Sequence, residues 1–522
     1  MHLSHADHSA TPPRVEIPRD YNAAHDLLQR NAGRSGKVAY IDAVTGQRLT
    51  YGELTEQAHR FASALRREGF APEARILVAM HDTPEWPVVF LGSILAGVVP
   101  IAANTLLTAR DFEFMLRDSR AQAAFVSKPL LPAFEPLVGQ VATLKKLVVA
   151  GETGANSVAA MIASGSNDAE VASTCSDDAC FWLYSSGSTG TPKGTVHLHS
   201  HLVQTAELYG RAVLGLREDD VVFSAAKLFF AYGLGNALTF PLSVGATTLL
   251  LPSRPTPADV FRVLKELQPT VFYGVPTLYA SLLADGARPK RSELKLRVCT
   301  SAGEALPAEI GKRWNEEYGC EILDGIGSTE MLHIFLSNRP GRVRYGTTGE
   351  PVPGYELRIV GDDGAECGPG EIGELQIKGP SAAIMYWNNR AKTKATFAGE
   401  WTRSGDKYTR DADGYYTYGG RSDDMLKVGG IYVSPFEVEA CLMTHPDVLE
   451  AAVIGVADSE GLVKPKAYVV LKEGRQAGAD DLQAHVKTRL APYKYPRWIA
   501  FVPELPKTAT GKIQRFKLRA SA

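Results

Sequence analysis

Apolar and polar positions along the first 340 residues follow two periods. Short apolar runs with strand character recur at 75–79, 99–103, 123–126, 146–149, 221–224, 247–251, 270–273 and 296–300. Between them lie stretches with apolar residues at helical spacing: 51–67, 85–96, 108–119, 257–267 and 307–318. Such alternation predicts an α/β fold with largely parallel sheets, and there is enough of it for two α/β layers.

The texture changes after Gly341. Short strands at 355–360 and 374–378 are separated by turns such as Gly361-Asp-Asp-Gly364 and Cys367-Gly-Pro-Gly370, which predicts a small β-barrel or sandwich. From Ser422 the pattern is compact α+β: a helix from Pro435, strands at 449–456 and 466–471, a helix at 479–490 and a strand at 498–502. The polar stretch 420–424 is the natural boundary. The expected domains are therefore 1–422, large and N-terminal, and 423–522, small and mobile. No internal repeat is evident.

Composition narrows the class. A chain of 522 residues exceeds one ordinary core, and a net charge of −2 supplies no bulk field for nucleic acid or an anionic membrane. No nucleic-acid or membrane partner is expected. Six scattered cysteines without CxxC spacing suggest free thiols in a reducing, cytoplasmic setting. No signal-peptide core and no run of 18 apolar residues is visible. Residues 1–15, with His2, His5 and His8, read as a disordered polar lead-in.

The chemistry is densest at Tyr184-Ser-Ser-Gly-Ser-Thr-Gly-Thr-Pro-Lys-Gly194, directly after the strand-like 181–184. Glycines let backbone N–H groups close on an anion, hydroxyls add donors, and Lys193 adds charge. Ser185, Ser186, Gly187, Ser188, Thr189, Gly190 and Lys193 together make a polyphosphate clamp. The spacing is not G-x-x-x-x-G-K-[ST], because Gly194 follows Lys193. A flexible linker would not adjoin Phe181-Trp-Leu-Tyr184.

Three further clusters are weaker alone. In Asp324-Gly-Ile-Gly-Ser-Thr-Glu330, glycines follow a strand, Thr329 can bond phosphate and Glu330 can hold Mg²⁺. A tight turn with a solvated Glu is the better explanation of an isolated match. In Thr402-Arg-Ser-Gly-Asp406 and Gly419-Gly-Arg421, Asp406 suits the ribose hydroxyls and Arg421 a second contact; a turn Asp and a surface Arg are the plainer alternative. In Pro506-Lys-Thr-Ala-Thr-Gly-Lys-Ile-Gln-Arg515, Lys512 is a point charge on a Gly/Thr loop, or part of a solvated basic tail.

Taken in order, these four clusters resemble the adenylate-forming enzymes: acyl-CoA synthetases, adenylation domains and luciferases. The resemblance runs from about Asn31 to Leu518 and includes Tyr51-Gly-Glu-Leu54, Gly373-Glu-Leu-Gln-Ile-Lys-Gly379 and Arg421-Ser-Asp-Asp-Met-Leu-Lys-Val-Gly-Gly430. It implies attack of a carboxylate on Mg-ATP to give an acyl-adenylate, then displacement of AMP by a thiol, usually that of coenzyme A. Lys512 would bridge carboxylate and α-phosphate, with Thr329 on the α-phosphate and Glu330 on Mg²⁺. Adenine would sit against Gly303, Glu304, Asp324, Gly325 and Ile326, and the ribose on Asp406 and Arg421. Asp423 aligns with a hinge, about which Lys427, Gly429 and Gly430 would swing in to meet coenzyme A.

By the same resemblance the acid pocket draws on Phe229-Phe-Ala-Tyr-Gly-Leu-Gly235, Ser301-Ala-Gly-Glu304 and Met331-Leu-His-Ile334. Ala231, Tyr232, Ala302, Gly327, His333 and Ile334 mix small and aromatic groups, which suits a short flat acid. The segments 228–235 and 325–335 most resemble benzoate–CoA ligases. Core packing is the alternative role for Tyr232 and His333. Two other functions stand beside this one. An adenylation module serving a carrier protein is the first; such modules usually sit beside a carrier domain, for which the residues after Lys512 leave no room, while a separate carrier protein stays open as the acceptor. An inactive homologue is disfavoured by the presence of Lys193, Glu330, Asp406, Arg421 and Lys512. The sequence leaves oligomeric state open, a homodimer included.

Overall fold

The computed structural model describes residues 1–168, 170–186, 192–422, 424–428, 431–459, 462–507 and 513–520, without the side chains of Ser186, Lys427, Ile431 and Tyr432. Among the described residues, two large sheets dominate. The first has seven strands in the order Met385–Tyr386, Pro192–Leu198, Ala179–Ser186, Val99–Ala102, Arg75–Ala79, Ala123–Ser127 and Lys146–Ala150. The second has nine: Glu350–Pro351, Ile334–Ser337, Ile322–Gly327, Val298–Ser301, Val271–Gly274, Val221–Ser224, Thr247–Leu250, Val38–Asp42 and Arg48–Thr50. Both are parallel in the middle, where helices cover them, and antiparallel toward the edges that carry the clamp and the Glu330 turn.

Local signals explain the helices. Thr50 accepts from the Glu53 amide while Glu53 reaches back to the Thr50 amide, so a capping box starts Tyr51–Arg67. Arg66 and Arg67 end it favourably against the helix dipole. Its buried stripe Tyr51, Leu54, Ala58, Phe61, Leu65 packs on Glu85–Leu95. Gly92 permits that approach, since a Cβ there would lie 2.7 Å from the Ala58 carbonyl oxygen. Trp86 stacks on Phe90 at 4.9 Å, both fully buried. Each such side chain contributes roughly 2–3 kcal/mol by leaving water.

The small β unit is a five-stranded antiparallel sheet built from Glu356–Val360, Gly373–Lys378, Trp401–Arg410, Phe397–Ala398 and Tyr416–Arg421, and its ladders do not close into a ring among the described residues. Its core is continuous with that of the second large sheet through Tyr355, Tyr408 and Tyr416. Among the described residues beyond Asp424 the strands pair only with one another: Leu426–Val428 with Ile431–Val433, and Val448–Ala457, Val463–Leu471 and Trp498–Phe501 in a three-stranded sheet. That sheet has its own core around Val438, Leu442, Val453, Val469, Leu482 and Val486.

The amino terminus corrects the expectation of a disordered lead-in. His5–Asp7 and Arg14–Glu16 form an antiparallel hairpin. Two buried carboxylates anchor it. Asp26 accepts from the Ser4 hydroxyl at 2.5 Å and the Tyr21 hydroxyl at 2.8 Å, and it pairs with Arg30 at 2.8 Å. Glu207 meets His8 at 2.8 Å, Arg211 at 3.0 Å and Arg30 at 3.2 Å. Local polarity hid partners that lie 22 to 199 residues away.

Candidate active site

The clamp begins where two strands meet. Ser185 and Ser186 end Ala179–Ser186, Lys193 opens Pro192–Leu198, and the ladder pairs Ser186 with Pro192 and Ser185 with Lys193. Gly187, Ser188, Thr189 and Gly190 lie outside the described residues. The Lys193 ammonium stands 4.5 Å from the centre of the Tyr386 ring. Burial lowers its pKa, Glu330 opposes that shift, and Lys392 and Arg421 add to it. Three cations and one carboxylate therefore share one electrostatic neighbourhood, which suits a polyphosphate.

Glu330 comes from the other sheet's edge, 145 residues on. Its Oε1 accepts from the Tyr386 hydroxyl at 2.7 Å and from Ser185 Oγ at 3.4 Å. Its carbonyl accepts from the Ala383 amide at 2.7 Å. Thr329 precedes it in a tight turn, and Leu332 closes that turn with a positive φ of 64°, a conformation non-glycine residues seldom adopt.

The nucleoside candidates gather from four strands or strand ends. Gly303 and Glu304 follow Val298–Ser301, while Asp324, Gly325 and Ile326 lie on the adjacent strand Ile322–Gly327, with Asp324 opposite Ser301. The Asp324 carboxyl is buried, and burial raises its pKa well above the carboxylate range. Its carbonyl accepts from the Asn338 amide at 2.9 Å. Asp406 and Arg421 are ladder partners, and their side chains pair at 3.1 Å. Arg421 also donates to the Ser404 carbonyl at 3.3 Å.

The acid-pocket candidates converge behind them. Ala231 and Tyr232 start the short helix Ala231–Leu234, and the Tyr232 hydroxyl bonds Thr300 Oγ1 at 2.5 Å. His333 donates from Nε2 to the Tyr232 carbonyl at 3.1 Å. Its ring centre lies 4.5 Å from that of Phe240, 5.4 Å from Tyr209 and 5.6 Å from Tyr232. Burial lowers its pKa to about 3, so the imidazole is neutral and Nδ1 is an acceptor. Gly235 makes room: a Cβ there would lie 2.3 Å from His333 Cδ2. Ala302 and Ile334 are buried on the same wall, and Gly327 abuts the His333 backbone.

Of the C-terminal candidates, Asp423, Gly429, Gly430 and Lys512 lie outside the described residues, and Lys427 is described as backbone only, on Leu426–Val428. The amide of Ile513, next in sequence to Lys512, donates to Glu304 Oε1 at 3.2 Å. The C-terminal unit thus touches the nucleoside segment.

Residues 27–387 match the AMP-binding enzyme family, and residues 437–512 match the AMP-binding enzyme C-terminal domain. The chain belongs to the AMP-binding enzymes. It is 63% identical to a benzoate–CoA ligase of Thauera aromatica, covering 99% of both chains. It is 50% identical to a 4-hydroxybenzoate–CoA/benzoate–CoA ligase of Rhodopseudomonas palustris, over 96% of this chain and 94% of the relative. A benzoate–CoA ligase crystal structure from Burkholderia xenovorans superposes with a TM-score of 0.90 at 57% identity, over 96% of this chain and 100% of the other.

For an AMP-binding enzyme the donor set around Glu330 fits a nucleotide-borne Mg²⁺. Among the described residues no three His, Cys, Asp or Glu side chains gather into a cage. A single carboxylate is what Mg²⁺ takes from a protein when substrate phosphates and water supply the other oxygens. Two residues of this site escaped the sequence reading. Tyr386 reaches it because its strand pairs with the clamp strand, Thr195 opposite Tyr386. Lys392 follows on the helix Arg390–Thr396. Neither sits in a Gly/Ser/Thr motif; the only signal was the aromatic pair Tyr386-Trp387 beside a basic run.

Proposed function

We propose that this AMP-binding enzyme joins benzoate, or an aromatic acid of similar size, to coenzyme A, releasing AMP and pyrophosphate. The observation that carries the reading is the convergence of the Tyr232 and Phe240 rings on His333, three residues after Glu330, which shares a charge cluster with Lys193 and Arg421. Identity of 63% to a benzoate–CoA ligase over the whole chain supports it.

In the first step a carboxylate oxygen bonds to the α-phosphorus of ATP and the bond to pyrophosphate breaks. The barrier lies in charge gathering on phosphate oxygens, and preorganised cations lower it. Lys193 and the clamp hold the β- and γ-phosphates, Thr329 the α-phosphate, and Asp406 and Arg421 the ribose. Lys512 bridges acid and α-phosphate. Bound Mg²⁺, held by Glu330, supplies Lewis-acid neutralisation of those oxygens. In the second step the coenzyme A sulfur bonds to the acyl carbon and AMP leaves. The unit beyond residue 422 turns about Asp423 between the steps, bringing Lys427, Gly429 and Gly430 to the pantetheine arm. Its separate core supports that rotation.

No helix among the described residues is long and apolar enough to cross a membrane, and all six cysteines are free, which supports a reducing, cytoplasmic setting. The deciding experiment is pyrophosphate release with benzoate, 2-fluorobenzoate, 4-hydroxybenzoate and hexanoate, with and without coenzyme A. Benzoyl-CoA, AMP and pyrophosphate in equal amounts are expected. Adenylate without transfer to free coenzyme A would point to a carrier-protein acceptor instead.

A further inference from the structure

His197 is fully buried on the clamp strand Pro192–Leu198, four residues beyond Lys193. Its Nε2 lies 2.8 Å from the carbonyl oxygen of Thr329, on the other large sheet's turn. A carbonyl only accepts, so Nε2 carries the proton. Its Nδ1 lies 3.0 Å from Nδ1 of His201, which stands 3.3 Å from the Leu198 amide. The Leu198 amide donates to His201 Nδ1, and His197 Nε2–H donates to the Thr329 carbonyl. The ring cannot swing, because it stacks on Phe181, its ladder partner, at 5.2 Å and 15°.

We propose that His197 is a positioning residue for adenylate formation: its Nε2–H pins the Thr329–Glu330 turn to the strand that carries Lys193. This rests on the roles proposed above for Thr329 and Glu330. The turn needs such a tie. Leu332 is held at positive φ, and the Thr329 carbonyl also accepts the Leu332 amide at 3.2 Å. On its other side the turn is held by the Ala383 amide on the Glu330 carbonyl and by Ser381 Oγ on the Met331 carbonyl, each through backbone oxygens. His197 ties the backbone of the turn to the strand that carries Lys193, while Ser185, the ladder partner of Lys193, reaches only the Glu330 side chain at 3.4 Å, so His197 helps to set the spacing between the lysine and the carboxylate that must grip one triphosphate.

Three substitutions separate the donor from the bulk of the ring. His197→Gln places an amide N–H near the Nε2 position. His197→Asn places one near Nδ1, short of Thr329. His197→Leu fills the space without a donor. Affinity for a non-hydrolysable ATP analogue with Mg²⁺ is measured by calorimetry, alongside KM for ATP and for benzoate. Thioester formation from supplied benzoyl-adenylate is measured separately. The Leu and Asn variants should weaken analogue binding and adenylation by about tenfold or more, the usual cost of losing an orienting partner. They should leave benzoate KM and the thioester step within about twofold, and Gln should recover most of the loss. Unchanged nucleotide binding in the Asn variant, or equal slowing of both half-reactions without rescue by Gln, overturns the proposal. If Leu does not fold, the Gln and Asn pair decides alone. Glu330→Gln is the control. If it leaves adenylation intact, the reading of the turn falls and His197 with it; if it impairs adenylation while the His197 variants do not, His197 alone falls.

Discussion

In the proposed acid pocket, small residues stand where rings converge. Ala231 is nearly buried, Gly235 touches His333, and the Phe240, Tyr209 and Tyr232 rings close the far side. Ala231→Val should exclude substituted benzoates before benzoate itself, with overpacking of about 1–3 kcal/mol reading as a ten- to hundredfold fall in kcat/KM. An unchanged ranking of benzoate, 2-fluorobenzoate and 4-hydroxybenzoate would remove Ala231 from the pocket. The pocket segment is also tied down by a titrating group. Asp82 accepts the Leu228 amide at 3.2 Å, and burial raises its pKa from 3.8 to about 6. Between those values the native state keeps a proton that the unfolded chain has lost, so this group's contribution to stability falls as pH rises and is flat above about 6. Compared with Asp82→Asn, wild type should lose on the order of 2–3 kcal/mol between pH 4 and 7. A difference between the two proteins that does not vary with pH would show that Asp82 is not held protonated.

At the scale of elements, strands and helices were legible wherever one period dominated. The helix Tyr51–Arg67 and the strands Arg75–Ala79 and Val221–Ser224 lie where their patterns place them, because caps and buried stripes are local. The hairpin at His5–Glu16 was not legible, since its polar residues look solvated until Asp26 and Glu207 are placed opposite them. The same holds for the site. The candidates Ser185, Lys193, Glu330, Asp406 and Arg421 could be read from motif chemistry, whereas Tyr386 enters through strand pairing, Lys392 on the helix after it and His197 through a side-chain bond across the two sheets, none with a local signature. The hairpin has a consequence at the pocket, because Glu207 shares the segment Ala206–Arg211 with Tyr209, a neighbour of His333. Deleting residues 2–17 removes Ser4 and His8 from two buried carboxylates, a loss of roughly 1–3 kcal/mol each. The expected outcome is a lower unfolding midpoint and a raised KM for benzoate, with KM for ATP unchanged. A variant with wild-type stability would mean that Arg30 and Arg211 suffice.

For the whole molecule, the proposed function has the two half-reactions use different faces of the C-terminal unit. Its own core is separate, and contacts with the rest of the chain can be named among the described residues. Ile513 bonds Glu304, and Phe436 sets its ring 4.7 Å from Tyr418 while Arg515 lies over it at 4.4 Å, paired with buried Glu439. A polar contact and one edge-to-face ring pair are cheap to exchange, each worth about 1 kcal/mol. The proposed rotation would therefore need a hinge rather than unfolding. Lys512 should matter only while its loop adjoins the nucleoside segment. Lys512→Ala should cut adenylation roughly a hundredfold or more, as loss of an electrostatic stabiliser does, yet spare thioester formation from supplied benzoyl-adenylate. Asp423→Pro should do the reverse, because proline fixes φ and stiffens the chain where rotation occurs. Adenylate should accumulate to about one equivalent per enzyme while benzoyl-CoA formation stalls. Quench-flow measurement of both products resolves the two effects. Equal loss of both half-reactions in either variant would mean that one orientation serves both steps, and normal turnover in the proline variant would remove Asp423 as the hinge.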